Sequence, residues 1–344
     1  SFPNAIFASI IPTRMDNRTN DISRRERHRN RLIGTALFVL LVLACRLYYE
    51  YCMHHPLAAP PPPATEASGT QPDADEPPAV SDRSADPIPG KRTPDDEGAP
   101  PSSTIPGTWS VTGPLELPAF DSADIVIKNT QGRYTLRYDT AYRQAAWVAY
   151  TLTGEDAAPG RAKRRDRFVP DPAVVREGYP TAFTSDYKGS GYDRGHLCPS
   201  ADRSRSQEEN DCTFYLSNIS PQTPALNRGP WKALEEQVRR WAVRHDTLYI
   251  VTGGLLAPGL ERLSSGIGIP EYFYKAILTK EEDAFEAIGF LFPNATRFEG
   301  DYVDYAVSID SLQTFTRIDF YHHLPDPVEY ETEKAYSSRF WFGE

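Results

Sequence analysis

Five stretches of the chain alternate apolar and polar positions, or carry runs of β-branched and aromatic residues, as is typical of β-strands. They lie at residues 134–138, 144–152, 248–252, 272–278 and 287–292. Turn signals such as Gly253-Gly254 and Pro293-Asn294 follow several of them. The strands recur without a regular alternation of strand and helix, so the pattern favours an antiparallel sheet.

One stretch has the period of an amphipathic helix, from Pro230 to about Arg244. Its apolar stripe consists of Trp231, Leu234, Val238 and Trp241. Proline suits the first turn of a helix, where its missing N–H costs nothing. Strands and helix together predict an α+β domain in which helices pack against an antiparallel sheet.

The amino-terminal part of the chain has a different pattern. Five arginines precede an uninterrupted apolar run at residues 32–44, which is the order of an export signal. We expect a signal anchor or transmembrane segment over residues 32–49, with a lipoprotein signal at Cys45 or a cleaved signal as alternatives. The arginines make residues 1–31 a basic cytoplasmic segment and place the rest in the cell envelope, periplasmic or extracellular.

Residues 50–106 cannot build a hydrophobic core. Fourteen of the 31 prolines lie between Pro56 and Pro106, among Ala, Ser and acidic residues. Such a composition is typical of a disordered, semi-extended linker. Nearly all aromatic and β-branched residues lie in residues 107–344, which are enough for one single-core domain.

The charge of this domain restricts its ligands. The chain has a net charge of −10, and −8 of it falls in residues 107–344. A domain-wide basic surface for nucleic acid is therefore absent, and such a ligand would need a local basic groove or a metal. The run at residues 161–168, five of them Lys or Arg, is the candidate groove.

Residue types that carry chemistry concentrate in three short blocks. These are Tyr-Asp-Arg-Gly-His at 192–196, Ser-Asn-Ile-Ser-Pro-Gln at 217–222 and Asn-Arg-Gly-Pro-Trp at 227–231. At about 100° of rotation per residue, one helix face would hold Asn227, Trp231, Glu235 and Arg239. Amide and carboxylate oxygens are hard ligands that suit Mg²⁺, and a neutral histidine beside them can take a proton from water.

These blocks resemble the DNA/RNA non-specific endonucleases of the ββα-metal (His-Me finger) class, which includes Serratia-type nucleases and endonuclease G-like enzymes. Residues 193–196 match the DRGH signature of that family, and residues 217–222 and 226–231 match its second block in content and spacing. Further landmarks lie at 147–150, 251–253, 270–275, 290–294 and 318–326. The resemblance spans roughly residues 120–344.

The resemblance implies a ββα-metal nuclease fold and a metal-dependent endonuclease that hydrolyses phosphodiester bonds in DNA and RNA. It implies that His196 is the general base, that Asn227 binds the metal directly and that Glu235 reaches it through a water. Asn218 would orient the region of His196. The catalytic arginines would be Arg194, inside the signature, and Arg167, with Arg165 in reserve. Mg²⁺ is the expected ion, and Mn²⁺ is the alternative.

Other interpretations remain open at this point. The domain could be an inactive module that binds nucleic acid, or a phosphodiesterase for small nucleotides on the same scaffold. In an exported domain, Cys198 and Cys212 are candidate partners for a disulfide. Besides DNA and RNA, the expected partners are the membrane, through residues 32–49, and a second copy of the chain in a homodimer.

Overall fold

The computed structural model describes residues 110–282 and 284–343. The expectations for residues 1–31, 32–49 and 50–106 concern a part of the chain outside these described residues. Within the described part, no helix combines the length and the apolar composition that a membrane crossing requires.

Seven strands form one antiparallel sheet in the order β1-β2-β3-β6-β7-β8-β9. Two further strands, β4 and β5, pair as a separate antiparallel hairpin. The bounds are β1 Ile125–Asn129, β2 Tyr134–Asp139, β3 Gln144–Thr153, β4 Asp193–His196, β5 Ile219–Gln222, β6 Thr247–Gly254, β7 Tyr272–Glu281, β8 Ala284–Pro293 and β9 Ala306–Val307.

Eight α-helices and four 3₁₀ turns connect the strands within the described residues. The helices are α1 Gly154–Ala157, α2 Pro172–Arg176, α3 Gln207–Cys212, α4 Pro224–Arg228, α5 Pro230–His245, α6 Ile309–Thr316, α7 Asp326–Glu333 and α8 Ser338–Phe342. The 3₁₀ turns are Thr184–Tyr187, Ser200–Arg203, Leu216–Asn218 and Tyr302–Tyr305. The predicted α+β class is confirmed, as are the five predicted strands and the long helix.

Side chains that alternate along the central strands build two cores, one on each face of the sheet. On β7, Phe273 and Ile277 belong to the core that α5 covers with Trp231 and Trp241. Tyr274, Ala276 and Leu278 belong to the opposite core, which α6 covers with Ile309 and Leu312. A strand buried on both faces needs apolar residues at nearly every position, which is why β7 and β8 were easily detected in the sequence.

The hairpin of β4 and β5, followed by α4 and α5, gives the ββα arrangement. The hairpin register pairs Asp193 with Gln222 and His196 with Ile219. The sequence analysis missed both strands, because β4 is mostly polar and β5 contains Pro221. Proline is tolerated there because a two-stranded hairpin leaves one side of each strand without a ladder partner.

The predicted helix face that joins Asn227 to Glu235 is wrong. The chain breaks at Gly229, so Asn227 lies on α4 and Glu235 on α5. Gly229 has φ −102° and ψ −118°, and a Cβ there would lie 2.4 Å from the carbonyl oxygen of Ala225. Asn227 and Glu235 therefore do not lie on one continuous helix, and a rotation of about 100° per residue cannot place them on a common face.

A fully buried arginine, Arg203, fastens the segment after β4 to the large sheet. Its guanidinium donates to the carbonyl oxygens of Gly132 at 2.9 Å, Arg133 at 2.8 Å and Thr151 at 3.1 Å. It also lies 4.9 Å from the centre of the Tyr150 ring. A cation that meets several carbonyl oxygens in this way satisfies buried acceptors that would otherwise lack donors.

Arg203→Met should lower the free energy of unfolding by at least about 3 kcal/mol, because several buried carbonyl groups lose a charged donor. Urea unfolding followed by circular dichroism measures this loss. Arg176→Met is the matched control, since Arg176 is exposed and pairs with its neighbour Glu177 on the surface. The control should change stability by less than about 0.5 kcal/mol. Equal stabilities for the two variants would contradict the anchoring role.

Candidate active site

The hairpin places His196 at the end of β4, and Asn218 fixes the backbone that follows. The Asn218 amide is fully buried and accepts from the Cys198 N–H at 2.9 Å. It donates to the carbonyl oxygens of Cys198 and Thr213, both at 2.9 Å. Three hydrogen bonds from one side chain hold the turn after His196 in a single geometry. This arrangement suits the orienting role that the family resemblance implies for Asn218.

Two aromatic rings surround the His196 imidazole. The ring centre of Phe214 lies 4.9 Å away in an edge-on arrangement, and that of Phe168 lies 5.6 Å away. The Nε2 atom of His196 is buried and makes no hydrogen bond within the described part of the chain. The aromatic packing fixes the ring plane while leaving that nitrogen free to accept a proton.

Burial, and to a smaller extent the positive charges of Arg164 and Arg194, lower the pKa of His196 to about 3. A charged imidazolium would be poorly solvated in this apolar site and would be repelled by both arginines. The imidazole of the free protein is therefore neutral throughout the physiological pH range, which is the form that a general base requires.

Two arginines flank the aromatic rings at His196. The Arg194 guanidinium lies 4.2 Å from the ring centre of Phe168. Arg164 lies 5.3 Å from the ring centre of Phe214 and donates to the Ser200 hydroxyl at 3.0 Å. Their positions on the two neighbouring rings direct positive charge to the space beside the imidazole.

The family resemblance implied Arg167, with Arg165 in reserve, from the basic run that also contains Arg164. Arg165 pairs with Asp211 at 3.3 Å, whereas Arg164, although it also pairs with Asp166 at 2.8 Å, lies against the Phe214 ring beside His196. The structure therefore favours Arg164 as the partner of Arg194 beside His196. Membership of the basic run was the only signal for Arg164 in the sequence, because the loop conformation decides which arginine faces the ring.

Asp193 connects the histidine strand to Asn227. Its carboxylate accepts from Asn227 Nδ2 at 2.9 Å and from Arg228 at 2.7 and 2.8 Å. Burial opposes ionisation, yet the hydrogen bonds from Arg228 and Asn227 lower the pKa of Asp193 below its usual value. Since Nδ2 is engaged, the Oδ1 atom is the part of the Asn227 amide that can bind a cation.

Glu235 lies one turn into α5 beside a group of buried charges. Burial raises its pKa to about 7, and Asp202 acts in the same direction, whereas Lys275 and Arg239 oppose the rise. Asp202 itself is held by Arg239 at 3.0 Å and by the Tyr150 hydroxyl at 3.0 Å. The charge of the Glu235 carboxylate therefore depends on burial and on the charges of Asp202, Lys275 and Arg239.

The oxygen donors of Asn227 and Glu235 fit a small divalent cation. Within the described residues, no group of three or more His, Cys, Asp or Glu side chains is arranged to hold a metal. A cation at Asn227 would therefore take few protein ligands and depend on water and substrate oxygens for the remainder, as Mg²⁺ commonly does.

The candidate disulfide between Cys198 and Cys212 is wrong. Both residues are free thiols, and both are buried. The Cys212 thiol interacts with the side chains of Asn129 and Tyr215, whereas Cys198 lies near the charges of Arg203 and Asp202. Burial raises the pKa of Cys198 to about 12, so this thiol stays protonated and unreactive.

Solved structures contain the same fold. The chain superposes with a TM-score of 0.55 and 26% identity on a protein in the crystal structure of the EndoG/EndoGI complex. The match covers 64% of this chain and 96% of that chain. The similarity agrees with the ββα-metal nuclease fold that the three sequence blocks imply.

Sequence relatives agree with the structural match. A nuclease of Nostoc sp. is 32% identical over 218 residues, which cover 61% of this chain and 77% of the relative. Mitochondrial endonuclease G of Bos taurus is 30% identical over 222 residues, which cover 61% of this chain and 74% of the relative. The sequence pattern of the DNA/RNA non-specific endonucleases matches residues 113–327. The chain therefore belongs to the DNA/RNA non-specific endonuclease family and is an endonuclease.

Proposed function

We propose that this endonuclease is metal-dependent and hydrolyses phosphodiester bonds in both DNA and RNA, with His196 as general base and Mg²⁺ held by Asn227. One observation carries the proposal. A neutral histidine lies buried between two aromatic rings with an arginine on each, and Asp193 connects its strand to the amide of Asn227.

His196 accepts the proton of the attacking water through Nε2. A pKa of about 3 makes the imidazole a weak base in the free protein. A bound phosphodiester changes this, because its negative charge offsets the arginines that repel the imidazolium. Substrate binding therefore raises the pKa of His196 towards the operating pH, where proton transfer is most effective.

Arg164 and Arg194 bind the phosphate and stabilise the charge that develops on it. Contacts of arginine with phosphate oxygens carry no information about the base. A site built from two arginines, a histidine and an amide oxygen should therefore cleave DNA and RNA with little base preference. The exposed basic residues at 161–167 supply the local positive surface that the acidic domain otherwise lacks.

Asn227, with Glu235 acting through a water, would hold the divalent cation. When bound, the ion would supply positive charge to the phosphate and the leaving oxygen. Hard oxygen donors favour Mg²⁺, with Mn²⁺ as the alternative. The hydrogen bond from Asn227 Nδ2 to Asp193 supports this assignment, because it engages the amide nitrogen and leaves Oδ1 as the atom that can bind the ion.

His196→Ala should reduce cleavage of supercoiled plasmid and of total RNA by at least about 100-fold, because the general base is lost. Gel assays with Mg²⁺ or EDTA measure both activities. The matched control is His323→Gln, a histidine that contacts Thr112 instead of the site. Equal cleavage by the two variants would contradict the assignment. If the wild type binds both polymers but cleaves neither, the inactive module is favoured. If it neither binds nor cleaves them, small phosphodiesters are favoured as substrates.

The pH dependence of kcat/KM should identify the working arginine. Protonation of His196 should not lower the kcat/KM of the wild type between pH 8 and 6, because the imidazole stays neutral there. Arg164→Met removes a charge that lowers the pKa of His196, so the acid limb should move to higher pH and kcat/KM should fall. Arg167→Met is the control and should leave the limb in place. The reverse result would restore Arg167 as the catalytic arginine, and circular dichroism at each pH would show that the fold persists.

Asn227→Ala should raise the Mg²⁺ concentration for half-maximal activity by about 10- to 100-fold, because the direct ligand is lost. Magnesium titrations of initial cleavage rate measure the change. Asn129→Ala, at the end of β1, is the matched control, and it should leave the Mg²⁺ dependence unchanged, because Asn129 contacts Tyr134, Gly132 and Cys212 instead of the site. Normal Mg²⁺ dependence in Asn227→Ala would show that the metal binds elsewhere.

A further inference from the structure

Lys275 is a fully buried lysine in the middle of the large sheet. It lies on β7, opposite Thr252 of β6 and Phe290 of β8. Its Nζ atom lies 4.9 Å from the ring centre of Trp231 and makes no hydrogen bond within the described part of the chain. An isolated ammonium in such surroundings is strongly unfavourable, so neighbouring charge must compensate for it.

The alternation of side chains along β7 shows which way Lys275 points. Phe273 and Ile277, two positions to either side, belong to the core under α5. Lys275 therefore faces the first turns of α5, where Trp231 and Glu235 lie one turn apart. Its ammonium is directed from the sheet towards this part of α5.

Glu235 is the anion left to balance Lys275. Asp202, the other nearby carboxylate, is already engaged by Arg239 at 3.0 Å and by the Tyr150 hydroxyl at 3.0 Å. Arg239, the other cation near both groups, is in turn paired with Asp202. Burial lowers the pKa of Lys275, and Glu235 opposes that change more than Asp202 does.

We propose that Lys275 is a positioning residue of the active site, whose buried ammonium supplies the counter-charge that holds the Glu235 carboxylate in the cleft beside Asn227. The inference rests on the proposed function, because it gives Glu235 its place at the cation. Lys275 touches neither substrate nor ion and acts through Glu235. A merely structural lysine would instead affect folding and leave metal binding unchanged.

A double-mutant cycle in the full chain tests this role. The variants are Lys275→Met, Glu235→Gln and the pair together, each measured for Mn²⁺ affinity by calorimetry without substrate, for kcat and for Tm. Lys275→Met should weaken Mn²⁺ binding about tenfold and lower kcat at least tenfold, and it should lower Tm, because the buried Glu235 carboxylate is left without its counter-charge. The double variant should be no worse than Glu235→Gln alone, since both changes remove the same interaction.

Lys280→Met is the matched control on the same strand, because Lys280 is exposed. It should behave as the wild type in every assay. Wild-type Mn²⁺ affinity in Lys275→Met, or fully additive losses in the double variant, would overturn the proposal.

Lys275→Arg keeps the charge and carries the test if Lys275→Met does not fold. Its Mn²⁺ affinity should stay within threefold of the wild type, and a loss as large as that of Glu235→Gln would overturn the proposal. A wild type that bound Mn²⁺ but cleaved no polymer would refute the proposed function alone, because the calorimetric coupling of Lys275 with Glu235 would still be measurable.

Discussion

The carboxylate of Asp193 joins the two halves of the active site. It lies on the strand that ends in His196, and it accepts a hydrogen bond from Asn227 while pairing with Arg228 on α4. The base strand and the helix with the amide oxygen are therefore tied by one charged group. Because charged hydrogen bonds are short and directional, this tie sets both the distance and the orientation of the two elements. In the proposed mechanism, the signature tetrapeptide thus has a structural role at its first residue and a chemical role at its last.

Under this tie lies a layer of buried charge that connects the hairpin to the sheet. Arg203 binds backbone carbonyl oxygens around Gly132, and Asp202 binds Arg239 and Tyr150. Lys275 reaches the same layer from β7. Removing one member of such a network leaves a buried charge uncompensated, so the layer resists rearrangement. A rigid support of this kind keeps the catalytic groups in position without the aid of the substrate.

Much of the fold followed from the sequence, for reasons that differ between elements. The central strands β7 and β8 and the helix α5 were predicted correctly because their apolar residues have a clear period. The edge strand β1 and the hairpin strands β4 and β5 were missed, because they are short, half-buried or polar. The candidate site residues were found through the order and spacing of three motifs and not through periodicity. Those motifs fix identity and order along the chain, but they contain no information on loop conformation.

The sequence by itself determined the α+β class, the family and the identities of His196, Asn218, Asn227 and Glu235 as candidate site residues. Only the tertiary structure decided that Arg164 faces the imidazole, that Gly229 separates Asn227 from Glu235, and that Cys198 and Cys212 stay free. It also placed Lys275, which reads as an ordinary strand residue in the sequence, against the Trp231 ring of α5. Local patterns report which residues a strand or helix needs, whereas contacts between distant segments depend on how those elements pack. The electrostatic surroundings of a buried group are such contacts, so they emerge only when the chain is folded.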